Sequence, residues 1–349
     1  MKFPFNLSNL FNYEVGIDLG TTKTIVYVKD KGIVLSQPTV VAINNKTNQI
    51  IAIGEEAYEM LGKTPPHISA IKPLTSGVIS DFEVAEKLLR HLLDQVKQKG
   101  GIFSVVNWPR LVISVPIGGT EVEKRAVEDA AKNAGARDVY LLEEPMAVAL
   151  GARWPVQGSQ GILVTDIGGG TTEVAVIALG GVVVSKSIRV AGNKLNEDII
   201  YYIRDKYKLV IGEQTAEMLK IKIGSAIDLG TDQDLKIKGR DLTNGLPKEI
   251  KVKEPDIREA ITPSLYKIVD TIRSTVEITP PELMGDVMNE GLLLSGGTSL
   301  LRGLDKFITE NVGLNVRVAE EPPLAVIRGI ANVLEDLESN KLLLTTISR

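Results

Sequence analysis

The chain contains no cysteine, two histidines and two tryptophans. Without thiols it can form neither disulfides nor thiolate metal sites, which fits a cytoplasmic protein. His67 and His91 belong to no ligand motif and read as surface or satisfied side chains rather than metal ligands or bases. Aromatic residues make up only 5% of the chain and the net charge is −4. That leaves too few stacking rings and too little positive charge for nucleic acid, which is set aside as a partner. The longest apolar runs, 174–179 and 182–184, are strand length and broken by glycine, well short of a spanning helix. The N-terminus shows neither a continuous apolar core nor a small-residue cleavage site, so no secretory signal is expected. What is present is globular in character: 349 residues, 44% hydrophobic and 24% charged, enough for two or three domains with a sizeable core.

One stretch stands out. Residues 162–164 read as a buried strand, Asp166 closes it, Gly168, Gly169 and Gly170 make a turn, and Thr171 and Thr172 lead into a second strand. Glycines belong where a backbone must turn tightly or lie against a ligand, and three in a row leave N–H groups to face an anion. An Asp at the mouth of such a turn cannot hold phosphate, but it can hold the water shell of a Mg²⁺ ion that does. Taken alone, the segment is equally readable as a glycine-rich hairpin with an ordinary turn residue. The pattern recurs at 15–28, where an apolar strand leads into Asp18, Gly20, Thr21, Thr22 and Lys23 before a second apolar strand. Two such hairpins predict a duplicated domain, one phosphate-binding hairpin in each half, with a nucleotide in the cleft between them.

These residues resemble the actin-like ATPase superfamily and, within it, the family of bacterial cell-shape proteins typified by MreB. The resemblance is carried by the blocks 16–21, 31–35, 142–147, 166–176, 212–217, 279–283 and 300–304, which follow the family order over nearly the whole chain. It implies an α/β, actin-like fold of two duplicated lobes with ribonuclease H-like cores. Lobe I is expected at 13–145 and 325–349, with a small subdomain at about 32–71. Lobe II is expected at 146–324, with a small subdomain at about 189–255.

Short strands are expected at 32–35, 39–43 and 49–53 and a helix at 55–61. Apolar residues at 84, 85, 88, 89, 92, 93 and 96 predict an amphipathic helix. Helix 120–134 alternates charges that include Lys124, the usual sign of an exposed, ion-paired face; in the family this helix pairs protofilaments, and both readings stand. Residues 1–12 hold three phenylalanines and two leucines, and residues 100–109 form an apolar loop with Val105, Val106 and Trp108. Each is a candidate membrane contact by resemblance, against a leader or loop that packs on the protein itself. Helix 256–277 is expected to stop before Pro280 and Pro281, and strand 291–294 to run through a turn at 295–300 into a helix.

By resemblance, Asp18 and Asp166 position Mg²⁺ through water. Gly20, Thr21, Thr22, Lys23, Gly168, Gly169, Gly170 and Thr171 cradle the phosphates of ATP. Glu144, after a strand end and before Pro145, orients or deprotonates the attacking water with help from Thr171; on spacing alone it serves as well to complement a helix dipole. Glu217 and Lys220 embrace ribose and adenine, or form a plain helical ion pair. Gly296, Gly297 and Thr298 lie on the adenine side, although a helix N-cap explains Thr298 or Ser299 equally. Lys23 departs from the usual Asn, Asn193 and Asn196 from acids, and Thr298 from glycine.

The implied activity is ATP hydrolysis coupled to polymerisation. The filament would be a homopolymer of paired protofilaments lying peripherally on the inner face of the cytoplasmic membrane. It would organise cell-wall synthesis and rod shape with elongation proteins such as RodZ, MreC and MreD. A metabolite kinase of the same fold would need an acceptor pocket motif, and none is found. A heat-shock chaperone would need a substrate-binding domain after residue 300. A scaffold that binds ATP without hydrolysing it or polymerising remains an alternative.

Overall fold

The computed structural model describes residues 14–100, 108–230 and 233–345. The leader at 1–12, with Val105 and Val106, therefore lies outside the described residues. The chain forms two units, Met1–Arg153 with Val326–Arg349, and Trp154–Ala325.

In the first unit a five-stranded sheet runs, in spatial order, Asp138–Glu143, Arg110–Val115, Glu14–Leu19, Lys23–Val28 and Gly32–Pro38. The first three strands are mutually parallel and the last two return antiparallel as a meander. The second unit repeats this strand for strand: Val316–Val318, Leu292–Ser295, Ile162–Ile167, Thr172–Ala178 and Gly181–Ile188, with the same pattern of directions. The duplication expected from the two Asp-ended hairpins thus extends to whole-sheet topology. Every residue of Ile162–Ile167 and Thr172–Ala178 is buried. Both faces of those strands are covered, which is why their sequence is almost continuously apolar rather than alternating.

Helix Phe82–Gly100 buries Val84, Ala85, Leu88, Leu89, Leu92, Leu93 and Val96, the apolar stripe expected from the sequence. It packs on helix Glu121–Ala134. That second helix starts with a Thr120–Glu123 capping box and ends at Gly135 in the left-handed region. Each large side chain so buried contributes roughly 1.5–3 kcal/mol. In the second unit helix Glu254–Glu277 lies against strands Thr172–Ala178 and Gly181–Ile188 and joins helices Gly192–Tyr207 and Glu213–Ile223 around one core.

Several boundaries differ from expectation, each for a physical reason. Helix Glu144–Gly151 stays with the first unit, although lobe II was expected to begin at 146. The returning helix Ala325–Glu335 lies so close to it that a Cβ on Gly329 would run into the Ala147 carbonyl, and Asn332 Nδ2 donates to Leu150 O at 2.7 Å. Gly32–Pro38 belongs to the main sheet. The small insertion is the three-stranded sheet of Gln49–Ile53, Val41–Asn44 and Ile68–Ile71. The small sheet of the second unit, Leu209–Val210, Asp234–Asp241 and Pro247–Lys253, falls within the expected 189–255. Pro280 and Pro281 do not only stop a helix. Pro281 opens another, Pro281–Glu290, in whose first turn its missing N–H costs nothing. Lys124 is buried rather than exposed, its ammonium held by Glu143 Oε1 at 3.1 Å. Residues 297–300 form a 3-10 turn, and the α-helix begins only at Leu304.

Candidate functional site

In the first unit Asp18 sits near the C-terminal end of its strand. Its carboxylate accepts a hydrogen bond from Ser114 Oγ at 3.1 Å, and Ser114 Oγ in turn accepts from Leu19 N at 3.3 Å. Ser114 is level with Leu142 on the next parallel strand. Glu144 follows two residues later, buried in the first turn of helix Glu144–Gly151 ahead of Pro145. Asp18 and Glu144 therefore lie on one sheet edge, the C-terminal edge at which open α/β sheets bind ligands. The strands that carry them are separated by one other, about 10 Å at typical strand spacing. Thr21 is buried and its hydroxyl oxygen accepts from Gly77 N at 2.8 Å, which leaves its hydrogen to donate. Thr22 and Lys23 are exposed.

The second unit repeats the arrangement. Asp166 pairs in register with Ser295 on the neighbouring parallel strand, while Asp18 meets Ser114 on its own parallel neighbour through a hydrogen bond. Its Oδ1 is buried without a hydrogen-bond partner. Burial pushes the Asp166 carboxyl from the ordinary 3.8 up to about 6, against a weaker opposing pull from Ser295. A bare carboxylate oxygen beside a glycine turn is satisfied by a cation's water shell, and so the residues present fit a hydrated Mg²⁺. The turn is closed by Gly168 N donating to Thr171 O at 2.9 Å, and the Thr171 side chain is buried.

Glu217 and Lys220 form the helical ion pair at 2.9 Å, but they are tied to more than each other. Lys220 Nζ also donates to Gly192 O at 3.0 Å, and Asn196 Nδ2 donates to Glu217 Oε2 at 2.6 Å. The Thr298 hydroxyl is not an N-cap; it donates to Gly168 O at 2.7 Å. Gly168, Gly192, Asn196, Glu217, Lys220 and Thr298 thus form one connected network beside the second hairpin.

Gly296 has φ +86°, and a Cβ there would strike the backbone of Ile167. Chain packing by itself requires a glycine here, whereas Gly297 faces open space. Gly296→Ala is accordingly expected to lower unfolding free energy by at least about 1–3 kcal/mol, the usual cost of forcing a side chain into a glycine-only conformation. Denaturant unfolding of the variant checks this, and an unchanged midpoint would contradict it.

Sequence reasoning missed Ser114 and Ser295. Ser295 ends an otherwise apolar strand, and Ser114 interrupts the apolar run that follows Arg110 in its own, which was the available signal.

A family model described as MreB/Mbl protein matches residues 12–342. The cell shape-determining protein MreB of Escherichia coli (strain K12) is 44% identical over 333 residues, covering 94% of this chain and 95% of that protein. The cell shape-determining protein Mbl of Bacillus subtilis (strain 168) is 42% identical over 329 residues, covering 94% and 98%. Among solved structures, MreB5 of Spiroplasma citri bound to ADP superposes with a TM-score of 0.89 at 39% identity, covering 95% of this chain and 98% of that one. The same protein bound to AMPPNP gives 0.88 at 38% identity, covering 94% and 98%. The chain has the actin-like fold and belongs to the MreB/Mbl family.

Proposed function

We propose that this protein binds Mg·ATP, assembles into filaments on doing so, and hydrolyses the nucleotide within them. The observation that carries the reading is the duplicated Asp–Ser pair at the ends of parallel strands, with a bare buried oxygen on Asp166. The binding of ADP and AMPPNP by MreB5 of Spiroplasma citri supports a nucleotide as the ligand. Asp18 and Asp166 would hold a Mg²⁺ ion through its water shell, and the ion would supply neutralisation of phosphate charge. Gly20, Thr21, Thr22, Lys23, Gly168, Gly169, Gly170 and Thr171 supply donors to the phosphates. Glu217, Lys220, Gly296 and Gly297 line the ribose and adenine side, with Thr298 behind them on the Gly168 carbonyl. Glu144 places the attacking water and takes its proton, with Thr171 assisting, and such positioning is most of what phosphoryl transfer requires of a protein.

The filament would lie on the inner face of the cytoplasmic membrane and organise cell-wall synthesis with proteins such as RodZ, MreC and MreD. Relatives named as cell shape-determining proteins support that role. No helix among the described residues is long and apolar enough to cross a membrane. Attachment is assigned to residues 1–12 and to Val105, Val106 and Trp108. Trp108 is 62% exposed, its ring edge close to Gly135. One buried apolar side chain is worth roughly 1.5–3 kcal/mol, so monomers bind weakly and filaments bind by avidity. Deleting residues 1–12 and changing Val105, Val106 and Trp108 to Ser is expected to abolish co-sedimentation with liposomes while assembly in solution persists. Unchanged liposome binding would refute the assignment. Electron microscopy of the purified protein with ATP and liposomes tests the whole proposal, with membrane-bound filaments as the expected image and unassembled particles as the contrary one.

A further inference from the structure

Two buried threonines outside the glycine turns make the same contact in the two units. Thr39 Oγ1 donates to Gly20 O at 2.7 Å, and Thr298 Oγ1 donates to Gly168 O at 2.7 Å. Each thus grips the carbonyl of the first glycine after an Asp-ended strand. The Thr39 hydroxyl also lies 2.8 Å from Thr24 Oγ1. A hydroxyl has one hydrogen, and that of Thr39 is spent on Gly20, so Thr24 donates to Thr39. The resulting chain of hydroxyls polarises and strengthens the last bond. In the second unit the grip is reinforced, because Gly168 O also accepts from Gly192 N at 3.1 Å and Gly169 O accepts from Asn193 N at 2.8 Å.

A trans peptide is planar, with its C=O and N–H pointing in opposite directions. Tying back the carbonyls of Gly20, Gly168 and Gly169 therefore turns the N–H groups of Thr21, Gly169 and Gly170 to the other side of each turn. A free glycine turn samples many orientations. A latched one presents its donors already aimed, which lowers the ordering cost of binding an anion.

We propose that Thr39 and Thr298 are positioning residues that hold the two glycine turns with their N–H groups aimed at nucleotide phosphates, so that each governs phosphate affinity without touching the nucleotide. The proposal rests on the nucleotide reading above and changes the part assigned to Thr298: it acts through Gly168 rather than on the adenine side.

The test compares full-length wild type with Thr39→Val, Thr39→Ser, Thr298→Val and Thr298→Ser, measuring affinities for ADP and for adenosine by calorimetry in Mg²⁺ buffer. Each Val variant keeps the side-chain shape and loses the hydroxyl. It is expected to bind ADP about three- to tenfold more weakly, the usual effect of one lost hydrogen bond. Adenosine affinity should stay at the wild-type value, and each Ser variant should restore ADP binding. Equal losses for ADP and adenosine would mark a general structural defect and overturn the proposal, as would Val variants that bind ADP like wild type. Should Thr39→Val not fold, owing to the unpaired Thr24 hydroxyl, Thr298→Val and its Ser counterpart decide the matter. Wild-type protein that binds no ADP overturns the nucleotide reading and the positioning role together. Wild-type binding with unaffected Val variants overturns the positioning role alone.

Discussion

Glu144→Ala protein is expected to bind ATP and assemble normally while releasing phosphate at least about tenfold more slowly than wild type, a lower bound on the ~10²–10⁴-fold contribution of a general base. Glu144 is buried at the C-terminal sheet edge that also carries Asp18, in the first turn of a helix opened by Pro145. Hydrolysis requires a water held in line with the leaving oxygen. Nucleotide binding does not, because the metal and the backbone N–H groups carry the phosphates. The substitution therefore separates binding from chemistry, and filaments of the variant should outlive those of wild type. A folded variant that releases phosphate at the wild-type rate would reduce Glu144 to a charge complementing its helix dipole.

Asp166→Asn is expected to have opposite effects on stability and on ligand binding. In nucleotide-free protein, burial holds the Asp166 carboxyl near a pKa of about 6, above its ordinary 3.8. The folded state therefore takes up a proton between roughly pH 4 and pH 6. The stabilisation linked to that proton is fully present below about pH 4 and is lost as the pH rises through about 6. A shift of about two units corresponds to roughly 3 kcal/mol. The Asn variant does not titrate. It should exceed wild type in stability by up to about 3 kcal/mol at pH 8, and the two should converge near pH 4. With Mg·ATP the order reverses, because the variant has lost a carboxylate that holds the metal's waters, and assembly should fail with it. Denaturant unfolding at pH 4 and pH 8 checks the first half and calorimetry with Mg·ATP the second. Wild-type ATP affinity in the variant would leave Asp166 a mere turn residue.

The hairpins were legible because their chemistry is local: an apolar strand, an Asp, glycines and threonines fall within a dozen residues. The amphipathic stripe of helix Phe82–Gly100 was legible for the same reason, its period being written in consecutive residues. What escaped notice depends on register between distant strands. Ser114 meets Asp18 only because Arg110–Val115 lies parallel to Glu14–Leu19, and Ser295 meets Asp166 by the equivalent pairing. Lys124 looked exposed because its helix alternates charges, whereas Glu143 on the adjoining strand draws it inward. The lobe boundary was expected at 146, inside helix Glu144–Gly151, rather than after it, because the segment that covers this helix returns from the far end of the chain. The glycines at 296 and 297 look alike in sequence, and only the nearby Ile167 backbone distinguishes a packing glycine from an open one.

The most direct test of nucleotide-driven assembly is high-speed sedimentation of the purified protein with Mg·ATP, with ADP and without nucleotide. Wild-type protein should move to the pellet above a threshold concentration in Mg·ATP and stay largely in the supernatant without nucleotide. Protein that binds ATP by calorimetry yet remains in the supernatant at every concentration would contradict assembly and leave an ATP-binding protein that does not polymerise.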